Sequence, residues 1–390
     1  MTQIVKSKEN RLELADILAT HIADYRVQYP LWPEHRKIVC DLLNCRTARL
    51  GGHIDRCSHC STLRITYHSC RNRHCPKCQH MPRERWLQKR KDEILPTAYF
   101  HVVFTLPHEL NAVILNNKKV MLNILFKAAS KTLLSFGENK LGGKLGFICT
   151  LHTWDQKLTP HFHLHCLVAA GAISKKGSRW IACKHRYLFN RQALGLFFRG
   201  KFIEQMTRAC QRRDLKFAGD SYNRVKSRLY EKKWVIDVRD PVRNPEHVLQ
   251  YLARYTHRVA IANSRISALE NGMVTFAIKN RKKNRREKIT LPAVEFIRRF
   301  LLHSLPAGFV RIRHYGFLAN RNRSQNLKAI RKLMGLPDPA AKPSASVEEM
   351  MRQLTGTDIT QCPCCHKGKM QLFVEIPRPR ARAPDALAVA

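Results

Sequence analysis

Acidic residues are scarce in this chain: 29 Asp and Glu stand against 70 Lys and Arg, a formal charge of +41. The deficit exceeds anything solubility requires and excludes most basic partners, so a polyanion is the expected one. Long apolar runs are also missing. No stretch approaches the roughly 18 residues of a spanning helix, and the opening "MTQIVKSKENRLELAD" lacks the charged-then-apolar pattern of an export signal. The expected setting is therefore cytoplasmic, at the nucleoid, with nucleic acid rather than membrane as partner. No internal repeat is visible, which excludes a solenoid. What the chain does have is enough length, 390 residues, and enough apolar content, 44%, for two or three folded domains.

Cysteine is plentiful, with 14 residues unevenly spread. In a basic cytoplasmic chain such clusters signal metal ligation before disulfides. Cys57-x-x-Cys60 and Cys75-x-x-Cys78 have the spacing of two knuckles that hold one zinc ion tetrahedrally, a closed structural site. Cys70 and His74 lie between the pairs and can replace a ligand, whereas Cys40 and Cys45 read as core residues of a helix face. Arg71, Arg73 and Lys77 rim the knuckle and suit phosphate contacts. The later "CPCCHKGKM" offers Cys362 and Cys365, with Cys364 or His366 beside them. It has no second pair nearby, and reads equally as half a zinc site or as a free-thiol turn.

Three histidines alternate in "HFHLH", where His161, His163 and His165 would share one face of a strand and Phe162 and Leu164 the other. Either this is a chance polar face, or the imidazoles hold a divalent ion whose remaining positions stay open for phosphate oxygens. About 90 residues later, Tyr251 and Tyr255 stand four apart in a helical pattern, so both phenols lie on one face. They read either as packing residues or as nucleophiles, with Arg254, His257 and Arg258 at hand for phosphate or phenolate.

The remaining pattern predicts helices over residues 7 to 50, 108 to 138, 190 to 214 and 245 to 258. Strands are expected at "AYFHVVFTLP" and through "LGFICTLHTWDQKLTPHFHLHCLVAAGAI", and a basic hairpin at 272 to 291 around Arg281 and Lys282. Domain expectations are a helical zinc-binding, DNA-binding region at 1–95, a catalytic region at 96–330, a linker at 331–350, and a knuckle with a disordered tail at 351–390.

Taken together the chain resembles the rolling-circle transposases of the insertion sequence ninety-one family. The resemblance rests on "SCRNRHCPKCQ", "FHVVFTLP", "LHTWDQKLTPHFHLHCLV", "YLARYTHRVAIAN" and "FVRIRHYGFLANRNR", and covers residues 30 to 325. It implies an α+β fold, an antiparallel sheet with helices on one side, with the histidine strand central and the tyrosine helix across it. It implies His163 and His165 as ligands of a catalytic Mg²⁺ or Mn²⁺. The third is His161 or a Glu, Gln, Asp or His from elsewhere, His247 and Gln250 being placed to serve. Tyr251 and Tyr255 would cleave single-stranded DNA through a 5′-phosphotyrosine, with Arg254, Arg258, Arg311 and Arg313 on the DNA and Tyr315 and Phe317 available for base stacking. The host replication machinery is a candidate partner; nothing sets the oligomeric state. Two rivals remain: a non-catalytic zinc-ribbon nucleic-acid-binding protein, and a replication initiator or relaxase of the same chemistry.

Overall fold

The computed structural model describes residues 12–91, 93–183, 188–217, 221–244, 247–248, 250, 255–280, 283–338 and 345–379. Within them the chain divides into two compact units. One is drawn from Met1–Arg85, Val259–Ser304 and Ala341–Ala390, the other from Trp86–Arg258 and Leu305–Ala340. Both are discontinuous in sequence, where contiguous regions at 1–95, 96–330 and 351–390 were expected. The expected linker at 331–350 also shrinks, because helix Arg323–Leu333 runs into it from one side and helix Val347–Thr355 from the other.

In the first unit, helices α1 (Leu14–Gln28) and α2 (Pro33–Leu43) are followed by strands β1 (Gly52–Cys57) and β2 (Leu63–Tyr67). Helix α1 buries Leu14, Ile17, Leu18, Ile22 and Tyr25, a stripe at helical spacing. It packs on helix Ala293–Leu302, which buries Phe296, Ile297, Phe300 and Leu301. At about 1.5 to 3 kcal/mol for each large side chain fully buried, this stripe is what recruits the 259–304 segment. Two three-stranded sheets complete the unit. The first pairs β1 centrally with β2 and with β12 (Met370–Ile376), Gly52 lying opposite both Tyr67 and Ile376. The second is β8 (Ile266–Glu270), β9 (Met273–Asn280) and β10 (Arg285–Pro292), the last two forming the basic hairpin expected from sequence.

The second unit is built on an antiparallel sheet of order β11-β4-β5-β3-β7, with β6 (Trp180–Ala182) added to β5. Its members are β3 (Tyr99–Thr105), β4 (Gly143–Trp154), β5 (Pro160–Ser174), β7 (Ile236–Val242) and β11 (Ile312–Gly316). The pleat decides what each face does. On β5, Phe162, Leu164, Cys166 and Val168 enter the main core, where they meet Leu125 and Phe126 of α3 (Lys118–Phe136) and Phe198 and Phe202 of α4 (Arg191–Gln211). Leu167 and Ala169 point the other way, into a second core with Val248, Phe317, Leu318, Leu327 and Ile330. Helices therefore cover both faces, the long ones on one side. His163 and His165 share the second face. Phe317 is 1% exposed and Tyr315 stacks on Phe147 at 5.3 Å, so neither is a base-stacking platform.

Candidate active site

Four histidines from three adjacent strands converge on that second face: His101 on β3, His152 on β4, and His163 and His165 on β5. Register brings them together, His152 lying directly opposite His163. His152, His163 and His165 each offer a ring nitrogen, all within 4.8 Å of one another. His161, expected as the third member, is exposed on the strand and is not part of the group; its carbonyl instead accepts from His163 Nδ1 at 2.9 Å. His247 and Gln250 are exposed as well. The third histidine comes from the "LHTW" strand.

Each ring has its second nitrogen tied. His165 Nδ1 and His101 Nε2 are 2.8 Å apart, and the stacked rings lie 5.1 Å centroid to centroid. His152 Nε2 donates to the carbonyl of Tyr255 at 2.8 Å. With Nδ1 of His163 and of His165 engaged, their Nε2 atoms face each other at 3.1 Å. Two nitrogens bound at about 2.1 Å to adjacent corners of an octahedron lie roughly 3.0 Å apart, so the pair has the bite of a chelate. Three of the rings are also held toward the neutral form. Burial pushes His152 and His165 well below the usual imidazole range, with the neighbouring histidines adding to it, and takes His101 down to about 4. Neutral imidazole is the form that ligates a metal, so the donor set fits a divalent cation.

Tyr255 closes the cluster. Its ring lies 4.1 Å from that of His165, 5.2 Å from His101 and 5.9 Å from His152. Tyr251 and Arg254 fall outside the described residues, as do Arg281 and Lys282. Positive charge surrounds the cluster: Arg258 and Arg311 act on His152, and Arg239 on His165 and His101. Arg311 donates to the Arg258 carbonyl at 3.0 Å, which holds the two together. Arg239, on β7, was not singled out in the sequence, where nothing marks it among so many arginines. Arg313 has another role. Its guanidinium donates to Asn123 Oδ1 at 2.6 Å and lies 4.0 Å over the Phe126 ring.

The cysteines of the first unit form two clusters rather than the single Cys57, Cys60, Cys75, Cys78 site expected from spacing. Cys75 and Cys78 join Cys45 and Cys70; Cys57 and Cys60 join Cys362 and Cys365. The physical reason is the β1–β2 hairpin. It separates the two CxxC turns along the chain and returns the backbone to the end of α2, where Cys45 waits. In the first cluster Cys45 and Cys78 lie 3.4 Å apart, Cys70 and Cys78 3.6 Å, and Cys45 and Cys75 3.6 Å. A zinc ion with bonds of about 2.3 Å sets thiolates roughly 3.8 Å apart, so the packing fits. Among the rim residues, Lys77 is bound to Glu13 at 2.6 Å, Arg73 is half-buried, and Arg71 is exposed, at a left-handed φ of 54°.

The site is thus an antiparallel sheet bearing a His-hydrophobic-His strand, with a tyrosine ring packed on its imidazoles. Two family models match this chain, "Putative transposase" over residues 146–326 and "Transposase zinc-binding domain" over 17–106. "Putative transposase y4qJ" of Sinorhizobium fredii is 42% identical over 93% of this chain and 95% of its own. The "Transposase for insertion sequence element IS801" of Pseudomonas savastanoi pv. phaseolicola is 25% identical, covering 84% and 80%. A solved conjugative relaxase TrwC in complex with mutant OriT DNA aligns at 10% identity over 61% of this chain and 74% of its own, with a TM-score of 0.23, too low to establish a shared fold. The chain belongs to the insertion sequence ninety-one family of rolling-circle transposases, with its N-terminal zinc-binding domain.

Proposed function

We propose that this transposase nicks and rejoins single-stranded DNA through a tyrosine–DNA bond, and that Tyr255, with Tyr251 four residues earlier in the sequence, carries the reaction. The observation that supports this reading is the Tyr255 ring 4.1 Å from His165, one of the two histidines whose Nε2 atoms face each other at 3.1 Å. A divalent cation held by His152, His163 and His165 would neutralise the scissile phosphate and orient it. Imidazole donors favour a transition ion such as Mn²⁺ over Mg²⁺, which prefers oxygen.

The rest is protein chemistry. The phenol of Tyr255 gives its proton to solvent and its oxygen attacks phosphorus; the bond to the 3′ oxygen breaks, and that oxygen leaves as a hydroxyl after taking a proton. One phosphodiester replaces another, so no external energy source is required, and the reverse attack by a DNA 3′-hydroxyl rejoins strands. Arg258, Arg311 and Arg239 would hold the phosphates on either side. His101 and the His161 carbonyl act as positioning groups, each fixing which nitrogen of its neighbour faces the cation. A second tyrosine would let one strand end be held while another is cut. In the first unit, Cys45, Cys70, Cys75 and Cys78 are proposed to hold the structural zinc. The protein would act in the cytoplasm, at the nucleoid, with the host replication machinery as a partner; among the described residues no helix is long and apolar enough to cross a membrane.

The deciding experiment incubates the protein with a labelled single-stranded oligonucleotide drawn from its own insertion element and Mn²⁺. An SDS-resistant adduct at the new 5′ end created by the break, absent with EDTA, is expected. Cleavage that persists in EDTA would refute the metal role, and a Tyr251→Phe/Tyr255→Phe double variant that still forms the adduct would refute the nucleophiles.

A further inference from the structure

We infer that Cys57, Cys60, Cys362 and Cys365 form a second, closed zinc site, in which two knuckles from distant parts of the chain clasp β12 to β1. It is independent of the cleavage chemistry.

The four sulfurs lie within 4.8 Å of one another, with Cys57 to Cys365 and Cys60 to Cys362 each 3.7 Å apart. That matches the edge of roughly 3.8 Å expected of a tetrahedron with zinc–sulfur bonds of about 2.3 Å. The partners stand 302 residues apart in sequence at one contact, so local chain geometry does not force them together.

The two knuckles are built alike. The amide of Cys57 donates to the Thr62 carbonyl at 2.9 Å, and that of Cys362 to the Gly368 carbonyl at 2.9 Å. The amide two residues on reaches the first sulfur in each, His59 to Cys57 and Cys364 to Cys362, both at 3.4 Å. The residue after the second cysteine is left-handed in each, Ser61 at φ 58° and His366 at φ 53°. Two stretches with no sequence likeness beyond CxxC have adopted one turn. Amide donors aimed at sulfur favour thiolate over thiol, the form zinc requires. Gly368 permits the approach: a Cβ there would lie 2.5 Å from Cys57 Sγ and 2.8 Å from the His59 nitrogen.

Energetics point the same way. The apolar cluster at the knuckles contains only Cys57, Cys362 and Met370 as buried members. Leu372, Phe373 and Val374 of β12 are 62%, 49% and 44% exposed. A strand that buries so little needs another source of stability, and a metal staple supplies it.

The test alkylates the full-length, zinc-loaded protein with N-ethylmaleimide and maps modified peptides by mass. Cys364, exposed and outside the four, is the internal reference. Cys57, Cys60, Cys362 and Cys365 should react at least ~10-fold more slowly than Cys364, and should reach its rate after a chelator is added. A Cys362→Ser/Cys365→Ser variant should carry one zinc fewer per chain. Gly368→Ala, which keeps every thiol, should lose the protection. Equal alkylation rates in the wild-type protein, an unchanged zinc content in the double variant, or thiols that stay blocked after chelation because they are paired as disulfides would each overturn the site.

Discussion

His152 and His161 both lie beside His163, and substitution separates them. His152 is 4% exposed and offers a ring nitrogen to the group, whereas His161 is exposed and offers a backbone carbonyl, its ring lying 4.7 Å from that of His163. His152→Ala, His163→Ala and His165→Ala should each lower adduct formation by at least about 100-fold while DNA binding, read by fluorescence anisotropy, changes little; His161→Ala should stay near wild type. A wild-type rate for His152→Ala would remove it from the cation site. At the same scale, Tyr255→Phe keeps the ring against His165 and deletes only the attacking oxygen, so a lost or sharply reduced adduct with unchanged melting temperature is expected. Strand alternation put His161, His163 and His165 on one face and left their role open; the family resemblance singled out His163 and His165. His152 was legible in principle, since the turn at Asp155–Thr159 folds "LHTW" back on "HFHLH", but pairing it required a register that one unaligned strand does not announce.

Strand β11 joins the catalytic sheet at its edge and shows how elements are held. Gly316 ends it at φ +65°, and a Cβ there would sit 1.5 Å from the Leu145 carbonyl oxygen. Gly316→Ala should therefore cost about 3 kcal/mol or more, seen as a fall in the unfolding midpoint in urea. One residue pair along, His314 accepts from Arg90 at 3.3 Å, and burial with the nearby Arg90 and Arg323 takes it down to about 4. The unfolded chain titrates near 6.5, so it binds a proton that the folded state refuses. Stability from this group is complete above about 6.5 and declines as pH falls toward 4. His314→Gln should flatten that acid decline in denaturation curves; an unaltered slope would count against it. Elements with strong periodicity, such as α3, α4, β3 and the β9–β10 hairpin, were readable in advance. The β1–β2 hairpin and β12 were not, because their stability comes from sulfur clusters and partners far away in the sequence rather than from an apolar stripe.

At the scale of the whole molecule, +41 charges act as one field. DNA affinity should fall steeply with salt, log K declining linearly with log salt as counterions are released; a flat titration would exclude phosphate contacts as the main source of binding. Charge and family were visible in composition and motif, but the division into units was not, since nothing local in residues 259–304 or 345–379 says that they fold beside the N-terminal helices. The pairing of β1 with β12 gives the protein a timetable. During synthesis, Cys60 emerges 302 residues ahead of Cys362, which at about 5 to 20 residues per second is roughly 15 to 60 s. Throughout that interval the central strand of the sheet has only β2 beside it and presents its other edge bare. The zinc-binding unit is thus finished only after the whole catalytic sheet has been made, and a chain broken off before Cys362 never assembles it.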